Sequence, residues 1–152
     1  MRFVHDDGGR QAAGFRGETR DCVTRALAIA SGVPYRQVYD ELRVAVLADR
    51  AYMAKLELRY GARARDHASP RAGMPRRIYE PWLLGRGFEW TPTMSIGSGC
   101  TVHLADGELP DGRLVVSLSR HLAAVVDGTV RDTYDPSRDG TRCVYGYYRL
   151  GG

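Results

Sequence analysis

The spacing of the apolar residues changes near residue 87, and this change constrains the fold more than any other feature of the chain. Before it, apolar residues recur every three or four positions; after it, they form short runs bounded by glycine, aspartate and proline. Helices followed by an antiparallel sheet predict an α+β fold. We expect one domain over residues 1–152, with a helical part at about 21–86 and a β part at about 88–150.

The helical part contains start and stop signals for three helices. Asp21 is a candidate N-cap, Gly32 lies where a helix C′ residue belongs, and Pro34 suits the first turn of the second helix. The predicted helices span residues 22–31, 34 to an end left open between 47 and 58, and 78–84. Residues 59–77 are rich in Arg, Ala, Gly and Pro, and they predict a long surface loop.

The β part is organised around a hairpin whose turn is Asp127-Gly128, a pair that favours a type I′ turn. If these two residues form the turn, Val126 pairs with Thr129, and the register then places His121 and Asp132 on one face. The two would be diagonal neighbours, with backbones about 7–8 Å apart, within reach of their side chains. The predicted strands span residues 1–4, 88–90, 100–104, 113–119, 121–126, 129–134 and 142–150.

Cys22 is the candidate nucleophile. A cysteine in the first turn of a helix lies near unpaired backbone N–H groups and the positive end of the helix dipole, which stabilise a thiolate. Cysteine is often a buried core residue, but the polar run before Cys22, which ends in Asp21, favours the reactive interpretation.

His121 and Asp132 complete a candidate triad. His121 would hold the thiol proton and deliver it to a leaving group, and Asp132 would fix the tautomer of the imidazole. A one-residue bulge would replace Asp132 by Asp135, which remains the alternative. The backbone N–H of Cys22 is one expected oxyanion donor, and the second is expected from residues 16–21.

These residues resemble the papain-like cysteine peptidase superfamily, and most closely small bacterial and phage proteins of unassigned role. The matching motifs are the Asp21-Cys22 helix start and the His-x-x-x-Val-x-Asp-Gly hairpin of residues 121–128. The layout is also similar to bacteriocin-processing peptidases and to transglutaminase-like enzymes, which supports Asp135-Pro136 as the alternative third position. In these relatives a glutamine stands about six residues before the cysteine, where this chain has Arg16.

The resemblance implies a papain-like fold and a cysteine hydrolase that cleaves a peptide or other amide bond of a peptide or protein substrate through Cys22, His121 and Asp132. Acyl transfer of the transglutaminase type on the same triad is one alternative. The other is a non-catalytic domain that binds nucleic acid or another polyanion through the arginines of residues 59–77, although the dispersed charge disfavours nucleic acid. These arginines are Arg59, Arg63, Arg65, Arg71, Arg76 and Arg77.

Composition limits the possible cellular locations and cofactors of the protein. The net charge is +4, and no apolar stretch is long enough for a membrane span or a signal peptide. Three cysteines far apart in sequence disfavour a disulfide framework, so we expect free thiols and a cytoplasmic location. Cys100 and His103 have the spacing of half a zinc site, but no second pair lies nearby, and no cofactor or metal is expected. The oligomeric state stays open.

Overall fold

The computed structural model describes residues 1–17, 19–60 and 68–151. Within these residues, three helices and a six-stranded mixed sheet form an α+β structure, which confirms the predicted class. The elements are β1 (Arg2–His5), α1 (Cys22–Ser31), α2 (Tyr35–Tyr60), α3 (Arg76–Gly85), β2 (Phe88–Pro92), β3 (Arg113–Leu118), β4 (His121–Val126), β5 (Thr129–Asp132) and β6 (Gly146–Leu150).

The sheet has the strand order β1-β5-β4-β3-β6-β2, and it is not wholly antiparallel as expected. The first strand, predicted at residues 1–4, pairs in parallel with β5, from Arg2 opposite Thr129 to His5 opposite Asp132. All three helices intervene between these two strands in the chain, and so long a connection permits a parallel pairing. The remaining strand pairs are antiparallel.

Apolar side chains fill both faces of the sheet. On β3, Val115 belongs to the core under the helices, whereas Leu114 and Val116 belong to a second core on the opposite face. Both faces are therefore covered, and α1 lies against β4, the strand that begins at His121. The helix-side core includes Leu27, Val38, Leu42, Leu83, Phe88 and Tyr148, all nearly inaccessible to solvent.

The ends of α1 confirm one capping prediction and correct another. Gly32 adopts φ +77° and donates its N–H to the carbonyl of Ala28, as a C′ glycine does. Asp21 occupies the N-cap position, but its side chain makes no capping hydrogen bond. Its carboxylate instead binds Arg25 and Tyr35, since burial directs it inward rather than back onto the helix.

The predicted hairpin register is confirmed. Val126 lies opposite Thr129 and Val125 opposite Val130, so Asp127 and Gly128 form the two-residue turn. Both turn residues have positive φ, +47° and +75°, which a type I′ turn requires. β5 ends at Asp132, two residues before the predicted end.

A disulfide joins Cys100 to Cys143, and the prediction of free thiols at these positions was wrong. The segment before β3 returns alongside the segment before β6, where Val144 donates its N–H to the carbonyl of Val102. This pairing brings the two cysteines to a Cα–Cα distance of 5.8 Å although they are 43 residues apart. The inference of a reducing compartment from free thiols therefore loses its premise.

The same pairing corrects two strand predictions. Residues 100–104 contribute only an isolated bridge between His103 and Cys143, and the last strand begins at Gly146 rather than at residue 142. Among residues 1–17, 19–60 and 68–151, no helix combines the length and apolar composition that crossing a membrane requires.

The predicted surface loop at residues 59–77 is shorter and partly buried. α2 runs to Tyr60, α3 begins at Arg76, and residues 61–67, which include Arg63 and Arg65, lie outside the described residues. Ala68 and Met74 pack into the helix-side core, because this segment runs beside α1. There the hydroxyl of Thr24 donates to the carbonyl of Pro70 at 2.6 Å.

Candidate active site

Cys22 is the first residue of α1, and among the three cysteines, all of which are described, it alone is free. Its side chain is half-buried at the edge of the helix-side core. Burial raises the pKa of the Cys22 thiol, but hydrogen bonds from the His121 side chain and the Leu122 N–H, with the charges of His121 and Arg25, lower it below 9.0 overall. The thiolate of Cys22 is therefore more favoured than that of an ordinary cysteine.

His121 opens β4 and interacts with both Asp132 and Cys22. Its Nε2 lies 2.6 Å from Oδ2 of Asp132, so Nδ1 is the ring nitrogen that is left for Cys22. Burial lowers the pKa of His121, yet the hydrogen bonds to Asp132 and Cys22 and their negative charges raise it above 6.5 overall. The ring of Tyr134 packs against the imidazole with 5.3 Å between centroids.

Asp132, the last residue of β5, is 1% exposed and is saturated with hydrogen bonds. Oδ2 accepts from His121, while Oδ1 accepts the backbone N–H of Thr133 at 2.7 Å and two N–H groups of Arg25 at 3.2 and 2.9 Å. Burial raises the pKa of Asp132, but the hydrogen bond and charge of His121, the charge of Arg25 and the Thr133 N–H lower it below 3.8 overall.

The alternative residue, Asp135, does not take this position. It is exposed, and its Oδ1 accepts the backbone N–H of Ser137 at 3.0 Å in a local turn. The structure therefore brings Cys22, His121 and Asp132 together and leaves Asp135 outside the cluster. No bulge interrupts the hairpin pairing from the turn to Arg131 opposite Ala124, and Asp132 is the next residue of β5.

Arg25 is part of the site although the sequence analysis gave it no role, and Asp21, predicted as an N-cap, is the buried partner of Arg25. Arg25 is 6% exposed and lies between Asp132 and Asp21, which is fully buried. The hydroxyl of Tyr35 donates to Oδ2 of Asp21 at 2.6 Å, and Arg10 lies 3.8 Å from the same oxygen. The signal in the sequence was the i, i+4 spacing of Asp21 and Arg25 within an apolar helical run.

Tyrosines close the buried side of the site. Burial, followed by the hydrogen bond to the Asp21 carboxylate, raises the pKa of Tyr35 far above 10, so this hydroxyl stays protonated and donates. Burial raises the pKa of Tyr79 to about 12, and the negative charge of Cys22 contributes to that rise. Tyr79, on α3, belongs to the helix-side core against which Cys22 packs.

The structure limits which backbone N–H groups could serve as oxyanion donors. The N–H of Cys22 belongs to the first turn of α1, where the helix itself supplies no acceptor. Within residues 16–21, Arg20 donates its N–H to the carbonyl of Arg71 at 3.2 Å, which removes it as a second donor. Glu18 lies outside the described residues.

In the described part of the chain, no group of three His, Cys, Asp or Glu side chains is placed to hold an ion. Cys100, which with His103 has the spacing of half a zinc site, forms a disulfide with Cys143.

Comparisons of the chain with protein-family models, with curated proteins and with solved structures find no significant match.

Proposed function

We propose that this protein is a cysteine hydrolase that cleaves a peptide or other amide bond. The observation that carries the proposal is the position of His121, whose Nε2 lies 2.6 Å from Oδ2 of the buried Asp132 and whose imidazole lowers the pKa of the Cys22 thiol. A nucleophile, a base within hydrogen-bond reach and a third group that orients the base are the parts that covalent acyl chemistry needs.

In the proposed reaction the Cys22 thiolate attacks the carbonyl carbon, and the N–H of Cys22 stabilises the oxyanion that forms. The tetrahedral intermediate expels the amine, which takes its proton from the His121 imidazolium, and a thioester to Cys22 remains. His121 then removes a proton from water as the water attacks the thioester, and the sulfur of Cys22 leaves as a thiolate, which restores the thiolate–imidazolium pair and releases the acid. Asp132 keeps Nε2 of His121 protonated, so that Nδ1 exchanges the proton.

The layout also supports a proposed place in the papain-like superfamily. The cysteine opens a buried helix, the histidine opens a strand, and the carboxylate ends the next strand of the same hairpin. This order along the chain, and the packing of α1 against β4, are what the resemblance leads one to expect. The position of Arg16, where those relatives have glutamine, leaves the second oxyanion donor to a backbone group in this proposal.

The arginine-rich segment gives less support to polyanion binding. Arg76 binds Glu80 at 2.5 Å, and Arg77 binds both oxygens of Asp49 at 3.0 Å. The charges of Arg76 and Arg77 are thus balanced by carboxylates. Polyanion binding also gives no reason for the position of His121 between Cys22 and Asp132. We therefore take hydrolysis as the function that the geometry supports best.

Alkylation by iodoacetamide tests the proposal without a known substrate. Under non-reducing conditions Cys22 is the one free thiol, because Cys100 and Cys143 are paired. We expect Cys22 in the native protein to react at pH 6 much faster than in the chain unfolded by urea, and His121→Gln to abolish the difference. Equal rates in the native and unfolded protein would refute an activated thiolate.

A library of acylated peptides, read by mass spectrometry, tests the reaction itself. We expect wild-type protein to release product amines and Cys22→Ala to release none. Adding a primary amine to the reaction separates hydrolysis from acyl transfer, since the amine would appear in the product only in the second case. Product formation by Cys22→Ala would contradict the proposed nucleophile.

A further inference from the structure

One side chain joins the two elements that carry the candidate triad. Arg25 lies one helical turn after Cys22 on α1, and its Nε and Nη2 donate to Oδ1 of Asp132 at the end of β5. Asp132 holds His121 on β4, and His121 returns to Cys22. The contacts therefore form a closed ring through α1, β5, β4 and back to α1.

We propose that Arg25 is a positioning residue, which ties the helix of the nucleophile to the carboxylate that orients the base and so fixes the distance between Cys22 and His121. Its catalytic meaning rests on the proposed function. Its structural part, control of the Asp132–His121 pair, can be measured independently.

The hydrogen bonds of Arg25 account for this role. All three guanidinium nitrogens bond to carboxylates, with Nη1 on Asp21 and the other two on Asp132. Because Arg25 and the Thr133 N–H together engage Oδ1, Oδ2 of Asp132 is left facing His121. A planar fork with fixed donors sets the rotation of a carboxylate in a way that a point charge cannot.

The opposite end of the guanidinium is also held. Asp21 receives Arg25 on Oδ1 and the hydroxyl of Tyr35, from α2, on Oδ2. The fork is therefore clamped between the start of α1 and the end of β5. The charged and titratable groups that face this cluster are Arg10 from the N-terminal segment, Asp21, Cys22 and Arg25 from α1, Tyr35 from α2, Tyr79 from α3, His121 from β4 and Asp132 from β5.

A purely structural arginine makes a different prediction from a positioning one. A structural role is limited to stability, so any folded variant would keep the reactivity of Cys22. A positioning role changes the pH at which the thiolate forms, because the charge of Arg25 favours both the thiolate of Cys22 and the ionised form of Asp132. The pH profile of a folded variant therefore separates the two.

The test compares Arg25→Lys and Arg25→Gln with Arg113→Gln. Lysine keeps the charge but cannot span two carboxylates, and glutamine removes the charge. Arg113 is a matched control, since its guanidinium donates to the carbonyls of Ile29 and Ala30 at the other end of α1. Two readouts are taken for each protein: the rate of alkylation of Cys22 from pH 4 to 10, and the proton resonance of the His121 Nε2–H.

We expect Arg25→Lys to slow alkylation at pH 6 about tenfold, the effect of weakening one charge-assisted hydrogen bond. Arg25→Gln should be slower still, with the acid limb of its profile moved to higher pH, so that lysine gives partial rescue. In both variants the His121 Nε2–H resonance should shift or broaden. Arg113→Gln should match wild type in both readouts.

Three results would overturn the inference. The first is a folded Arg25 variant with the wild-type profile and resonance; the second is Arg113→Gln producing the same change. The third is loss of cooperative unfolding in both Arg25 variants, which would mean that Arg25 serves folding alone. Failure of the proposed function looks different, since wild-type Cys22 would then be no more reactive than the unfolded thiol, while the resonance would still report on Arg25 and Asp132.

Discussion

Replacing Asp132 by asparagine tests the logic of the site most directly, because the two side chains have the same shape. The amide oxygen can keep the hydrogen bonds that Oδ1 receives from Arg25 and Thr133. The amide NH₂ then takes the place of Oδ2 and points at Nε2 of His121, 2.6 Å away in the wild type. A donor there forces the ring proton onto Nδ1, the nitrogen that must accept the proton of Cys22.

The magnitude follows from the hydrogen bond that is lost. An imidazolium facing an amide N–H forfeits one charge-assisted hydrogen bond, about 1.5–3 kcal/mol, which lowers the thiolate–imidazolium population roughly 10- to 150-fold. We expect the alkylation rate of Cys22 at pH 6 to fall by that factor in Asp132→Asn. Asp135→Asn is the control, because Asp135 is exposed and bonds only within its own turn to Ser137 in the described structure.

The outcome that would refute this reasoning is wild-type alkylation in Asp132→Asn together with slow alkylation in Asp135→Asn. That result would make Asp135 the third member of the triad in place of Asp132, and would imply that the hairpin contains a bulge in solution. Slow alkylation in both variants would point to a general disturbance of the loop after β5, and thermal unfolding of the two proteins would show it.

Three further predictions concern stability and pH. Removing the disulfide with Cys100→Ser and Cys143→Ser, which opens a loop of sequence separation 43, should lower the free energy of unfolding by about 4 kcal/mol in urea titrations, and a loss near zero would contradict the chain-entropy argument. The pKa of Asp132 is lower in the folded state than its ordinary 3.8, so its ionised form stabilises the protein above pH 3.8, and this stabilisation is lost as the pH falls through the folded pKa. The difference in unfolding free energy between wild type and Asp132→Asn should therefore become smaller on acidification. A difference that does not change with pH would count against the pairing of Asp132 with His121 and Arg25. Gly146→Ala should destabilise the protein by roughly 1–3 kcal/mol in thermal melts, because a Cβ there would lie 2.3 Å from the ring of Trp90, and an unchanged melting temperature would show that the indole moves freely aside.

Short-range chemistry was readable from the sequence. Asp127-Gly128 specified its turn, and the turn specified the register that joins Val126 to Thr129, since a two-residue loop leaves no freedom in the pairing. Gly32 and Pro34 likewise marked the end of α1 and the start of α2. In each case the signal and the structure it specifies lie within a few residues.

Contacts between distant segments were not readable in the same way. The disulfide of Cys100 and Cys143 depends on two irregular segments that run side by side, and no periodic pattern marks such a pairing. The parallel placement of β1 beside β5 depends on the route of the chain around all three helices. Arg25 and Asp132 are 107 residues apart, and an arginine within an apolar helical run gives no indication of its partner.

The protonation state of the site follows from the charges that folding buries together. Arg25 bonds to both buried carboxylates, Asp21 and Asp132, and Arg10 lies 3.8 Å from Asp21. A buried charge is costly without an opposite charge beside it, and Asp132 also faces Nε2 of His121, so this carboxylate favours a positive imidazole. An imidazolium in turn favours a negative Cys22 on its other side. Opposite charges therefore alternate from Asp132 to His121 to Cys22, which lowers the cost of burying them. The same thiolate–imidazolium pair is the form that a thiol nucleophile needs before substrate binds.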